Sequence, residues 1–248
     1  MDAERRMPPF DLRAAMEVLA AKDERLARLM GSTEEYRVEG DPAMSPYEAL
    51  TQAVVYQSIS GKAAATIFAR VKALGSGRNG PMPQEMLLLP KRALRRAGLS
   101  GAKIAAMKDL AQKALDGTVP SRVAAETMSD TELVERLTSV RGVGAWTVEM
   151  FLIFRLGRPD VLPIHDLGVQ RGHALTYGKK FLPKPKDLLE FGERWRPYRT
   201  VASWYMWRAC GLPEHQGRRI GRAPAKKRAK VLAGRIKRAA IRRKARAK

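Results

Sequence analysis

The 248-residue sequence predicts an all-α protein with a strongly basic C-terminal tail. Three observations lead there. Helix-start signals recur along the chain, each followed by apolar residues at helical spacing. No segment sustains the every-second-residue alternation of a half-buried strand, and no Asn-Gly turn joins two strand-like runs. The charge is uneven: of a net +22, residues Gly217 to Lys248 hold 15 Lys or Arg and no acid, which leaves +7 for the other 216 residues.

The elements follow in order. Ser45-Pro-Tyr-Glu48 reads as a capping box with proline at the first helical position, and it opens a helix over 46–57. Ser60 caps a run of helix formers over 61–74. The Gly, Ser, Asn and Pro cluster at 75–83 is a loop. Ser100 caps a helix over 101–115, and Ser129 with Glu132 forms a second capping box opening 130–137. The turn at 138–144 leads into a helix from Ala145 to Leu156. A last helical stretch, 197–211, starts at a proline and stops at Gly211. Residues 1–216 therefore form the helical body. In the tail, 217–248, the few apolar residues of 223–248 (Val231, Leu232, Ile236 and Ile241) are too sparse for a core. It is expected to be disordered alone and to order on a polyanion.

Composition narrows the function classes. Apolar residues make up 45% of the chain, enough to bury a core. The positive excess points to a polyanionic partner, nucleic acid ahead of an anionic membrane surface. A single cysteine, Cys210, excludes internal disulfides and any cysteine-built zinc or iron–sulfur site. The opening "MDAERRMPPF" has no apolar signal core, and no uninterrupted apolar stretch approaches the roughly 18 residues of a membrane span. A soluble protein in a reducing compartment is expected.

The densest signal lies in "VRGVGAWTVEMFLIFRLGRPDVLPIHD", residues 140–166. Gly142 and Gly144 allow a tight turn and close approach to the main chain. The helix after them would turn unpaired N–H groups and its positive dipole end toward an anion such as phosphate. Asp166 follows 24 residues after Gly142 and can cap a helix beginning at Leu167. Asp160, in an Arg-Pro-Asp turn, reads as a structural acid, His165 as an exposed loop residue, and Trp195 and Trp204 as core.

Helix, "VRGVG", helix, then an aspartate after a Pro-Asp turn resembles the helix-hairpin-helix DNA glycosylase superfamily. "GVGAWTVEMFLIFRLGRPDVLPIHDLGVQRG", "WRPYRTVASWYMWR" and "YQSISGKAAATIFARV" are similar to its DNA-3-methyladenine glycosylase II type, over roughly Pro46 to Gly211. The resemblance implies a two-lobed helical fold with its hairpin at about 130–156 and without the family's N-terminal β-rich lobe. It implies Asp166 as the catalytic acid and Trp207 and Trp146 as aromatics of the base pocket. Gly142, Gly144, Thr147 and Arg141 would meet the DNA backbone. Gln57 and Ser58 would fill the gap left by a flipped base; Ser58 stands where some relatives carry a bulky leucine. Relatives that also cut the backbone carry lysine where this chain has Trp146, which implies release of the base alone.

The expected activity is therefore a monofunctional DNA glycosylase of base excision repair. It would release alkylated purines (3-methyladenine, 7-methylguanine, with hypoxanthine a further candidate) from double-stranded DNA, as a monomer. No cofactor is required and no iron–sulfur cluster is expected. The resemblance also implies a structural Na+ or K+ on the backbone carbonyls of Thr138, Val140 and Val143. A bacterial cytoplasm is the expected compartment, at the nucleoid, or the nucleus in a nucleated cell. Two other readings stand: a non-enzymatic helix-hairpin-helix DNA-binding or architectural protein, and a same-fold enzyme for another lesion.

Overall fold

The computed structural model describes residues 5–39 and 43–222. The part of the basic tail that carries most of its charge, 223–248, lies outside the described residues. In chain order the helices are α1 (Leu12–Lys22), α2 (Glu24–Gly31), α3 (Pro46–Tyr56), α4 (Gly61–Lys72), α5 (Pro83–Leu88), α6 (Lys91–Arg96) and α7 (Gly101–Leu115). They continue with α8 (Arg122–Thr127), α9 (Asp130–Thr138), α10 (Ala145–Phe151), α11 (Leu167–Thr176), α12 (Pro185–Gly192) and α13 (Arg199–Ala209). Among the described residues the strands are a single two-residue antiparallel pair, Arg5–Arg6 with Val38–Glu39. The all-α reading holds. No helix among them is long and apolar enough to cross a membrane.

Local chemistry sets the helix starts. Ser45 accepts from the Glu48 N–H while the Glu48 carboxylate accepts from the Ser45 N–H, the reciprocal box expected from the sequence. Ser60 and Ser100 cap α4 and α7 as expected. At α9 only half of the expected box forms: Ser129 accepts from the Glu132 N–H, and the Glu132 carboxylate pairs with Arg136 one turn on. The expected helix from Ala145 to Leu156 is α-helical only to Phe151; Leu152–Leu156 form a π-helical turn closed by Gly157 in the left-handed conformation.

Two hydrophobic cores result. One gathers α3 to α10 around Leu50, Val54, Met107, Leu110, Leu137 and Phe151. The other joins α1 and α2 to α11–α13 around Leu19, Leu26, Val169, Trp195, Val201 and Tyr205. The residues ahead of α3 thus complete a lobe whose remainder comes from the C-terminal third. Trp195 and Trp204 are buried in it, as read from sequence. Buried Asp23 joins its elements: it accepts from Tyr177 Oη and Trp195 Nε1 and caps α2 through the Leu26 N–H.

The segment 157–166 crosses between the lobes and is pinned along its length. Thr200 Oγ1 accepts from the Val161 N–H and donates to the Arg158 carbonyl. The Arg199 guanidinium donates to Asp160 through Nε at 2.7 Å and Nη2 at 3.0 Å, with Arg196 on the same carboxylate. Asp160 is the structural acid its turn setting suggested. Helices α11 and α13 pack closely: a Cβ on Gly172 would sit 1.8 Å from the Met206 carbonyl oxygen. Gly172→Ala is expected to force the helices apart at a cost of about 2–3 kcal/mol, read as a lowered urea midpoint. An unchanged midpoint contradicts the close approach.

Candidate active site

Asp166 is the N-cap of α11, and its Oδ1 accepts from the Val169 N–H at 2.8 Å. Capping fixes the carboxylate at a helix start, where the dipole favours negative charge. Two indoles fix it further. Trp207 Nε1, from α13, donates to Oδ1 at 2.7 Å. Trp146 Nε1, from the first turn of α10, donates to Oδ2 at 2.9 Å. Three donors from three helices therefore converge on one carboxylate. The sequence reading placed both tryptophans in the base pocket as stacking surfaces, and the structure adds that their N–H edges hold the acid. Trp207 stacks on Phe154, with ring centroids 5.5 Å apart, and packs against both cores. Trp146 is 46% exposed, so one of its faces is open.

The hairpin between α9 and α10 stands beside this carboxylate. Val140 and Val143 bury their side chains, and the Val143 N–H donates to the Val140 carbonyl. Gly142 takes φ +76, which L side chains rarely adopt. Gly144 caps α10 without a side chain, and a Cβ there would meet no atom within 4 Å. Arg141, Gly142 and Gly144 are exposed. Thr147, expected at the DNA backbone, is set differently from its exposed neighbours. Its side chain is buried and its N–H is already bonded to the Gly144 carbonyl at 2.9 Å, so neither faces outward.

Neighbouring helices hold the hairpin. Asp109, on α7, accepts from the Arg141 N–H at 2.7 Å and from Lys113 Nζ at 2.9 Å, and Lys113 also donates to the Ser139 carbonyl at 2.6 Å. Burial pushes the Asp109 carboxyl up, but these donors and charges outweigh it and hold the group below the ordinary aspartate range. Gln57 Nε2 donates to the Gly142 carbonyl at 3.0 Å. Lys103 Nζ donates to the carbonyls of Val55 and Gln57. Gln57 is thus bonded to the hairpin, and Ser58, exposed at φ +58, forms the tip of its loop.

A cavity of about 340 Å³ opens between α3 and the α10–π segment, lined by Gln52, Ala53, Tyr56, Thr147, Met150 and Phe154. Phe154 links it to Trp207 and so to Asp166. Thr147 aside, the sequence reading missed these lining residues, as it missed Asp109, Lys113 and Lys103. It also missed Glu149, one turn after Trp146. Burial, then the nearby Asp166, pushes the Glu149 carboxyl up to about 7. His165 is exposed, as its loop setting suggested.

Removing the hairpin's acceptor gives a direct check. In Asp109→Ala the Arg141 amide loses a charge-assisted bond of about 1.5–3 kcal/mol. Hydrogen exchange of a 138–145 peptide should quicken by about ten-fold or more. Unchanged exchange removes Asp109 from this role.

Comparison with known proteins agrees with the geometry. Residues 51–197 match the family described as HhH-GPD superfamily base excision DNA repair protein. The chain is 36% identical over 198 residues to DNA-3-methyladenine glycosylase 1 of Schizosaccharomyces pombe, covering 79% of this chain and 87% of that one. The solved structure of the S. pombe 3-methyladenine DNA glycosylase Mag1 in complex with abasic DNA matches with a TM-score of 0.71 at 35% identity, over 81% of this chain and 98% of that one. A DNA-3-methyladenine glycosidase structure from Bacillus halodurans matches with a TM-score of 0.74 at 34% identity, over 82% and 92%. A helical hairpin, a capped aspartate held by two indoles, and relatives alike over most of their length lead to one conclusion: the chain belongs to the HhH-GPD superfamily of base excision DNA repair proteins.

Proposed function

We propose that the protein is a monofunctional DNA glycosylase that flips an alkylated purine out of double-stranded DNA and hydrolyses its N-glycosidic bond. The observation that carries this is the Asp166 carboxylate, fixed by Val169, Trp207 and Trp146 beside an open hairpin. As the bond breaks, its electron pair leaves with the base and positive charge builds on the deoxyribose. A preorganised carboxylate stabilises that charge without reorganising at the moment of reaction. Water then completes the sugar and leaves an abasic site. A pure DNA-binding module has no use for such a carboxylate.

The cavity of about 340 Å³ takes the flipped base in this reading. Its Tyr56 and Phe154 rings, with the Trp207 stack, suit an electron-poor alkylated purine, with 3-methyladenine and 7-methylguanine first and hypoxanthine a further candidate. Position 146 presents an indole and no amine, so no Schiff base forms there and the backbone stays intact. The exposed hairpin, with Arg141, Gly142 and Gly144, receives a phosphate, which positions the enzyme without reading sequence. Ser58 and Gln57 face the gap in the duplex, Ser58 by insertion and Gln57 by hydrogen bonding once its bond to Gly142 is released.

The carbonyls of Thr138, Val140 and Val143 are neutral oxygen donors of a kind that suits Na+ or K+; that of Val140 already accepts one N–H and keeps a second lone pair. A monovalent cation there would stiffen the turn. No other cofactor enters the reading. The protein acts as a monomer, in the compartment that holds the chromosome.

Base release from methylated duplex DNA tests the reading, with abasic sites revealed by later alkali. Wild type should release purine, and Asp166→Asn should lose about 10²-fold or more. Trp207→Phe, which keeps a ring on Phe154 but removes the donor, should lose about 10–100-fold. Strand breaks before alkali would overturn the monofunctional assignment. The 15 Lys and Arg of 217–248 add salt-sensitive, nonspecific affinity in this reading. Deleting 217–248 should weaken DNA binding and flatten its dependence on salt, and an unchanged slope would refute the tail's role.

A further inference from the structure

Glu149 lies one turn after Trp146 on α10, and its charge is coupled to that of Asp166. Its Oε2 is buried and accepts no hydrogen bond from any described residue. It lines a second cavity, of about 310 Å³, that runs between the lobes past Asp130, Thr131, Asp160 and Arg199. Among the described residues, the charged groups facing that cavity from other elements give Glu149 no cationic partner. From α13, Arg199 is committed to Asp160 and Glu193. On the crossing segment Asp160 is already paired with Arg199 and Arg196. From α9, Asp130 carries the same sign as Glu149 and is paired with Arg158.

Asp166 is in the opposite condition. A carboxylate offers about four lone-pair sites, and three are filled: two on Oδ1 by Val169 and Trp207, one on Oδ2 by Trp146. Such a group suits the stabilisation of a cation, while little of it is left to receive a proton from water. Two carboxyls in one site with environments this different favour two roles.

We propose that Glu149 is a second carboxyl of the catalytic site and takes the proton of the water that attacks the sugar, leaving Asp166 to stabilise the sugar's positive charge. The inference rests on the glycosylase reading above. The C–N bond breaks with its electron pair going to the purine, the water oxygen bonds to the anomeric carbon, and the released proton goes to the Glu149 carboxylate. The cavity that Glu149 lines gives water access to this part of the site. Burial and the Asp166 charge place Glu149 near 7, where a base is both ionised and effective.

The test is single-turnover base release from 7-methylguanine duplex DNA between pH 5.5 and 9. Wild type should rise about ten-fold per pH unit and bend near pH 7. Glu149→Gln should lose the bend and fall about 10²-fold at pH 8, with DNA binding retained, and Glu149→Asp should restore the bend. A Glu149→Gln profile with the wild-type bend, or a rate at pH 8 near wild type, overturns the proposal. Infrared difference spectra of the wild type between pH 6 and 8 serve if Glu149→Gln does not fold: a buried carboxylic acid that ionises there supports the proposal, and none overturns it. An active wild type with an unaltered variant profile removes Glu149 alone, whereas a wild type releasing no base at any pH removes the glycosylase reading itself.

Discussion

At Gly172 the carbonyl oxygen of Met206 occupies the space a side chain would need, so α11 and α13 meet backbone to backbone. Asp166 caps the first of these helices and Trp207 projects from the second. The 2.7 Å bond between them exists because the helices approach this closely. Both helices belong to the core that α1, α2 and Trp195 complete, so burial far from the site sets a distance within it. A glycine with no side chain governs the aim of the carboxylate.

The other half of the site comes from the opposite lobe. Trp146 begins α10 directly after the hairpin, and the hairpin is held by Asp109, Lys113 and Gln57. The carboxylate is therefore gripped from both lobes, and Trp207 packs against both cores. Movement of one lobe against the other would break the Trp146 bond, the one that crosses between them. The Thr200 and Arg199 contacts along 157–166 resist that movement where the chain crosses.

What could be read from the sequence was local. Ser45, Ser60 and Ser100 cap helices because an N-cap and the amides it serves lie within three residues. The left-handed turn at Gly142 and the cap at Asp166 were legible for the same reason. The indole bonds were not, since Trp146 lies 20 and Trp207 41 residues from Asp166. Asp109 looks from sequence like any helix-surface acid, and only folding brings it 32 residues along the chain to Arg141. The burial of Thr147 was not legible either, because nearness to an exposed turn does not tell which way a helix face points; it lies on the face that also buries Val148 and Phe151. The π-helical turn at 152–156 has no signature in a 3.6-residue pattern, yet it sets the position of Phe154 under Trp207.

The division of the chain between the cores has a consequence for how the protein is made. The core of α3 to α10 is contiguous in sequence and can close as soon as it leaves the ribosome. Helices α1 and α2 emerge before that core, but their partners α11–α13 come after it. At roughly 5–20 residues per second, their apolar faces wait on the order of ten seconds or more before anything covers them. Residues synthesised ahead of the α3–α10 core are buried after it, and the aspartate acquires its second indole only when that late lobe closes.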